Sequence, residues 1–507
     1  MGANWNHDRA AAHIDSKLKD VGSVEIVDYT REAALENIPV NKAYRVEAAH
    51  LYADILNLDD MLACTNQEGE LCHKRTLRFL NLHYRAVARI LSQADIRRVD
   101  FHNQRLHGAV IKPYGAEAAA DRVHRAVAAA QLIIEVLDET GKADEHIPNA
   151  KVRVGIDAGE ALAVNNGRRG GREPLFLGEP ANQAAKYAAG GKSGIFLTNA
   201  ARAAIGLKEI DSPKTTALTV AEIAASVVAA KLGIDKADIV RQWHEDRKTI
   251  LLSDFEFSAH TPPYRNLKII DLTPKNSRRQ DALSLYADLD GFTAFVNRWI
   301  DSRPADVVKA LHVIRAELDR VLEVEFRGRK IRFIGDCVHG LLCEGTAQTT
   351  DAEATVSTAA LCAGGLRSSF DLSLKKLAAD GVDTGGLGLQ IGFEHGPMTV
   401  TRLGLHADKV RCAVSRGVRA SEAEQLRCAA DETAIGEVAY AEGTAALRKL
   451  FGTSRKAKDL DYDSVVEGLA DQGDEVAKAA RQTAYTAVAP AVAKAAETQV
   501  RPYARQA

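Results

Sequence analysis

Two short runs rich in apolar and β-forming residues, Val46–Asp54 and Leu283–Asp288, each end in an aspartate, and each predicts a strand. After the second run, Val307, Leu311, Ile314, Leu318, Val321 and Leu322 recur at the i, i+4, i+7 spacing of one buried helix face. The segment KIRFI (330–334), then Gly335-Asp336, then CVHGLLC (337–343) predicts a hairpin. Helices are expected over 117–139 and 351–378. A strand containing Gly-x-x-x-Gly follows, then another helix and a strand such as GIFLTN (194–199). The order β-α-β-β-α-β predicts an α+β, ferredoxin-like fold with helical extensions.

The pattern occurs twice. YAD stands at 52–54 and at 286–288, HG at 107–108 and at 339–340, and VRVGIDAGE (152–160) resembles LQIGFEHGP (389–397). The offsets are 234, 232 and 237 residues, nearly constant and far too long for a solenoid. They predict a duplicated domain. The expected division is an extension over 1–40, a first domain over 41–212, a helical insert and linker over 213–280, a second domain over 281–454 and a helical tail over 455–507. The charged PKNSRRQD (274–281) is expected to be linker.

Composition narrows the function without naming it. Hydrophobic residues make up 46% of 507, ample for two cores, and the net charge of -2 gives no general attraction to nucleic acid or an anionic membrane. No apolar run reaches the ~18 residues of a membrane span, and the polar N-terminus lacks the apolar core of a secretory signal. Seven scattered cysteines without a CxxC pair point to reduced thiols, a cytoplasmic location and no zinc site.

The chemistry concentrates in Asp288 and Asp336. One should end a strand and the other should lie at the tip of the hairpin beside it, with neighbouring strands ~5 Å apart. Two such carboxylates could hold hard cations such as Mg²⁺, with coordination positions left for substrate phosphates. Asp-Gly and Gly-Asp are equally at home in plain turns.

The surrounding residues resemble a known family. ADLDGFT (287–293) and RFIGD (332–336) are similar to the two metal-binding signatures of class III nucleotide cyclases, with Arg332 where that family has a base-reading lysine. The resemblance implies a head-to-tail domain pair with sites at the interface, one domain giving metal carboxylates and the other an Asn and an Arg four residues apart on a helix. An i, i+4 pair shares one helix face. GEPANQAAK (178–186) fits the second pattern, with Asn182 in place and Lys186 for the arginine, whereas SRGVRASEA (415–423) has Arg419 and Ala423 there. The metal positions run the other way: the second copy keeps Asp288 and Asp336, and the first keeps Asp54 but has Gln104. The losses are complementary and imply one complete site and one degenerate site around Asp54, Gln104, Arg332 and Arg419.

By the same resemblance, Asp288, Asp336 and the Leu289 carbonyl would bind two Mg²⁺ or Mn²⁺ ions. Gly291, Phe292 and Thr293 would cradle phosphates, Asn182 would align the ribose and Lys186 would offset charge on the α-phosphate. Loop 165–174 would add cations. The base-reading positions of the first copy are Asp100 and Leu175, which depart from the purine patterns and look like the pyrimidine cyclases of Pycsar anti-phage systems. The expected reaction converts UTP, or CTP, to its 3′,5′-cyclic monophosphate, which would act on an effector as a messenger rather than by direct contact. The copies are expected to pair within one chain, with a homodimer as a further expectation. A guanylate or adenylate cyclase, an inactive nucleotide-binding relative and a polymerase-like enzyme are the competing readings.

Overall fold

The computed structural model describes residues 4–63, 67–142, 149–166, 174–346, 348–405 and 409–492. The first half runs α1 (His7–Asp20), β1 (Glu25–Asp28), β2 (Lys42–Ile55), α2 (Leu58–Leu62), α3 (Glu70–Gln93), β3 (Arg97–His102) and β4 (Arg105–Val110). It continues with α4 (Ala119–Gly141), β5 (Val152–Val164), β6 (Leu175–Leu177), α5 (Glu179–Ala188), β7 (Gly194–Leu197), α6 (Asn199–Ala204), α7 (Val220–Ala230) and α8 (Lys236–Thr249). The second half runs β8 (Phe257–Ser258), β9 (Ser277–Asp290), α9 (Phe292–Trp299), α10 (Pro304–Arg320), β10 (Arg329–Ile334), β11 (Cys337–Leu342) and α11 (Ala352–Ala379). Then come β12 (Gly388–Leu403), β13 (Val410–Val414), α12 (Arg416–Leu426), β14 (Glu432–Ile435), α13 (Glu437–Glu442), α14 (Ala445–Phe451), β15 (Lys456–Lys458), α15 (Tyr462–Ala470) and α16 (Glu475–Val492).

Each half builds one sheet, ordered β3-β4-β2-β5-β6 and β10-β11-β9-β12-β14-β15. The four central strands have the ferredoxin-like order, so the fold is two tandem α+β copies. The expected helices over 117–139 and 351–378 appear as α4 and α11, within two residues at each end. The helical pattern of the second copy is α10 and one π turn, Val321–Glu325, that keeps Val321 and Leu322 buried.

The repeated landmarks have physical causes. Tyr52 pairs across the strands with His107 and their rings stack at 4.0 Å; Tyr286 and His339 repeat the stack at 4.2 Å. A Cβ on Gly155 would lie 2.2 Å from the Ala184 carbonyl oxygen of α5, and one on Gly392 would lie 2.1 Å from the Gln425 nitrogen of α12. Only glycine lets these helices lie so close to the strands.

Two expectations change. The presumed linker 274–281 is a turn only over Pro274–Asn276; from Ser277 the chain is already β9, with Arg278 opposite Val400 and Gln280 opposite Met398. Its charged side chains stay at least partly exposed while the backbone completes a ladder. The tail begins not with a helix but with β15, paired to β14, before α15 and α16; residues 493–507 lie outside the described residues.

The copies are bound by exchange. Leu162, Val164, Leu175 and Leu177, on the β5–β6 hairpin, belong to the core of the second copy with Phe292 and Val296. Leu403, Val410, Cys412 and Val414, from the β12–β13 hairpin, belong to the core of the first. Each such aliphatic side chain contributes roughly 1.5–3 kcal/mol on full burial. The leading helix α1 also crosses over. Its neighbour Trp5 donates to Ser369 Oγ at 2.8 Å, and His13 meets Glu317 at 2.7 Å, both partners lying in the second copy.

Candidate active site

Asp336 is the second residue of a two-residue turn between β10 and β11, whose first residue, Gly335, has φ +61°, the left-handed conformation glycine adopts freely. Asp288 follows Ala287, which pairs with Val338, so the turn brings Asp336 and Cys337 beside it. The neutral Cys337 thiol donates to the Val338 carbonyl oxygen. Across β12, Gln390 lies opposite Asp288 and donates to Asp290 at 3.2 Å; Gln425 of α12 donates to Gln390 at 2.8 Å and reaches Asp288 Oδ2 at 3.5 Å.

Burial, then repulsion from Asp290, pushes the Asp288 carboxyl up to about 6. Burial, then repulsion from Asp288, pushes Asp336 well above the usual carboxylate range, with some relief from Arg315. Among the described residues neither carboxylate has an ion pair, and no group of three or more His, Cys, Asp or Glu side chains forms a metal cage. Two partly buried, mutually repelling carboxylates without an ion pair among the described residues fit a hard divalent cation that draws its remaining ligands from substrate phosphate, backbone and water.

The phosphate-cradle positions follow directly. Gly291 has φ +72°, and a Cβ on it would meet the Gly386 carbonyl oxygen at 2.2 Å. Phe292 and Thr293 open α9; the Phe292 ring is buried beside Phe295, so its backbone is what remains for a ligand. The Leu289 side chain is buried opposite Leu389.

Asn182 and Lys186 lie on α5 of the first copy, half-buried and exposed respectively. Neither side chain has a hydrogen-bond or ion-pair partner among the described residues. Helix α5 reaches the second copy beside α9: Ile300 Cδ1 lies 3.3 Å from where a Cβ on Gly178 would be. A cleft of about 550 Å³ runs between these helices, bordered by Glu179, Gln183, Tyr187, Asn297 and Asp301. None of Asp288, Asp336, Asn182 or Lys186 borders it.

The two expected base-reading positions separate. Asp100 is held by Arg332 of the second copy at 3.0 Å, and the same guanidinium donates to the carbonyls of Phe101 and Arg411. Arg332, expected in the degenerate site, therefore bridges the copies at Asp100. Leu175 is buried in the shared core. Residues 167–173 of the basic loop lie outside the described residues.

In the degenerate half, Asp54 stands opposite Arg105, which donates to Asp54 Oδ2 from Nε at 3.1 Å and from Nη2 at 2.9 Å. Burial raises the Asp54 carboxyl against the pull of Arg105 and Arg419. Gln104 is buried, and its Oε1 finds no partner. Arg419 donates to Asp59 from Nε at 2.9 Å and from Nη2 at 3.0 Å. Arg105 and Asp59 escaped notice in the sequence. The signal was present, since the repeat offsets of 232 and 234 place Arg105 on Cys337 and Asp59 on Thr293.

Two ferredoxin-like copies that exchange hairpins, with a carboxylate pair in one and an Asn–Lys helix in the other, have the architecture of class III nucleotide cyclases. The fold matches a solved class III adenylyl cyclase-like ATP-binding protein from Pseudomonas aeruginosa with a TM-score of 0.90 and 57% identity, over 92% of this chain and 100% of that one. No protein-family profile matches the chain. It is 57% identical over 509 residues to a uridylate cyclase of Pseudomonas aeruginosa, covering 100% of this chain and 99% of that protein. It is 38% identical over 455 residues to a uridylate cyclase of a Rhizobium species, covering 86% of each. The chain belongs to the uridylate cyclase family.

Proposed function

We propose that this protein converts UTP to cyclic UMP and pyrophosphate at one site between its two copies. The observation that carries the catalytic reading is the adjacent, mutually repelling pair Asp288 and Asp336, which has no ion pair among the described residues; the identity to two uridylate cyclases supports uracil as the base. The catalytic units are residues 41–212 and 281–454.

Asp288, Asp336 and the Leu289 carbonyl would hold the ions, Mg²⁺ or Mn²⁺, which when bound would supply Lewis-acid charge to the triphosphate and to the ribose 3′-OH. The backbone at Gly291–Thr293 cradles the β- and γ-phosphates through N–H groups at the start of α9. Asn182 aligns the ribose for in-line attack of its 3′-oxygen on the α-phosphorus, as the bond to pyrophosphate breaks. Lys186 offsets the charge that grows on the α-phosphate, as a point charge without arginine's fork. Asp100, steadied by Arg332, accepts from uracil N3–H, a donor that cytosine lacks. Leu175 supports the reading pocket from the core. The product is a messenger for a cyclic-nucleotide-activated effector in anti-phage defence, made in the cytoplasm. Among the described residues no helix is long and apolar enough to cross a membrane.

The test is incubation with Mn²⁺ and each of UTP, CTP, GTP and ATP, with products identified by mass spectrometry and Asp288→Ala as control. Cyclic UMP that disappears in the control is the expected result. A purine cyclic nucleotide would keep the mechanism and overturn the base. Because one relative is described as ATP-binding, the ATP incubation is the sharpest of these comparisons.

A further inference from the structure

The degenerate half departs from the metal half at four corresponding positions. Gln104 replaces Asp336, Arg105 replaces Cys337, Asp59 replaces Thr293, and Arg419 takes the place that Asn182 holds in the first copy. Two of these changes exchange charge for neutrality in a telling way. Where the metal half has the neutral thiol of Cys337, the degenerate half has a guanidinium bound to Asp54 through two nitrogens. Where the metal half starts a helix with a neutral Thr293 for phosphate, the degenerate half places the Asp59 carboxylate, clamped through both oxygens by Arg419 of the other copy.

We infer that the second site carries its own ligand: Arg105 stands in for the metal ion and Asp59 for the phosphate, so each chain binds one metal–nucleotide complex. The argument is one of charge and space. A carboxylate that already shares a half-buried guanidinium has little net attraction left for a divalent ion. A carboxylate at the phosphate position, even an exposed one, repels a triphosphate and occupies the cation that would have met it. The two pairs also differ in reach. Asp54–Arg105 lies within one sheet, at the position that corresponds to the metal site, whereas Asp59–Arg419 is an exposed pair that joins the copies. The amide of Gln104 in place of a second carboxylate is then tolerated because the remaining Asp54 has a partner in Arg105.

The inference concerns metal occupancy and does not depend on which nucleotide is cyclised. Its test counts Mn²⁺ bound to the full chain by electron paramagnetic resonance, without nucleotide. Asp288→Ala should lose tight Mn²⁺ binding altogether, because no second site takes over. Adding Gln104→Asp and Arg105→Cys to that variant should restore it, by rebuilding the carboxylate pair and thiol of the metal half on the first copy. Tight Mn²⁺ that survives in Asp288→Ala alone would overturn the inference, as would a rebuilt chain that melts like its parent and binds none. Should the rebuilt chain fail to fold, thermal melting of simpler variants decides. Arg105→Ala should melt lower than the natural chain, and Asp54→Asn in that background should recover most of the loss. An Arg105→Ala chain that melts like the natural one would overturn the role of Arg105 as the site's cation.

Discussion

Asp288 and Asp336 gain their chemistry from what the chain withholds from them. Asp54, at the corresponding position, is paired with Arg105; among the described residues Asp288 has only the Gln425 amide, at 3.5 Å, as a side-chain donor. Its carboxyl is raised to about 6, above its unfolded value, so the folded chain binds more protons than the unfolded one between those two values. Without metal, stability should therefore rise as pH falls from 7 to 5, and saturating Mn²⁺ should reverse that slope by favouring the ionised pair. Thermal melts across that range, with Mn²⁺ or with chelator, would read the sign; a metal-free chain that is most stable at pH 8 would contradict it. In the proposed mechanism, Lys186→Ala removes a charge needed only as the α-phosphate grows negative. Its kcat should fall about 10²–10³-fold with KM little changed, and Lys186→Arg should retain activity. A steady-state comparison of kcat and KM separates this from a binding role. The candidate residues were legible because ADLDGFT, RFIGD and GEPANQAAK are local strings. Arg105 was not, because its meaning comes from Asp54, 51 residues away in sequence and opposite it across a strand pair.

At the scale of elements, a few close approaches fix where the reacting groups stand. Gly155 and Gly392 set α5 and α12 against their strands, and a methyl at either position meets backbone at 2.2 or 2.1 Å. Gly155→Ala and Gly392→Ala should each destabilise the chain by about 1–3 kcal/mol, the usual range for overpacking. Their effects on turnover should differ. Gly155→Ala displaces the helix that bears Asn182 and Lys186, and should lower kcat far more than Gly392→Ala, whose helix has neither. Denaturant melts together with initial rates would check both halves of the statement. The elements themselves were largely legible from periodicity, since α4 and α11 lie within two residues of expectation. The start of β9 was not: SRRQD reads as linker by charge, and only the ladder with β12 makes it strand.

At the scale of the molecule, the two copies are interlocked rather than merely adjacent. Each lends a hairpin to the core of the other, and α1 lies on the copy farther from it in sequence. Trp5, 4% exposed, seals that contact, and Trp5→Ala should cost about 3–5 kcal/mol although it lies in the N-terminal extension, outside both proposed catalytic units. Calorimetry should show a single transition shifted downward; an unchanged melting temperature would mean that α1 is not part of the second copy's core. The same interlocking bears on where the site forms. Asp336→Ala and Asn182→Ala chains, each inactive, should stay inactive when mixed, because each metal half already holds the hairpin of its own chain.

The duplication, the strand–helix order and the complementary loss of carboxylates and helix residues follow from local patterns repeated at a fixed offset, and these are written in the chain because period and spacing are properties of neighbouring residues. Which copy's hairpin enters which core, where α1 settles, that Arg332 reaches Asp100 and that Arg105 neutralises Asp54 were decided by tertiary structure. Those outcomes depend on residues that are distant in sequence being buried together. There, the cost of an unpaired charge and the gain from burying apolar surface choose among partners that the sequence alone leaves equivalent.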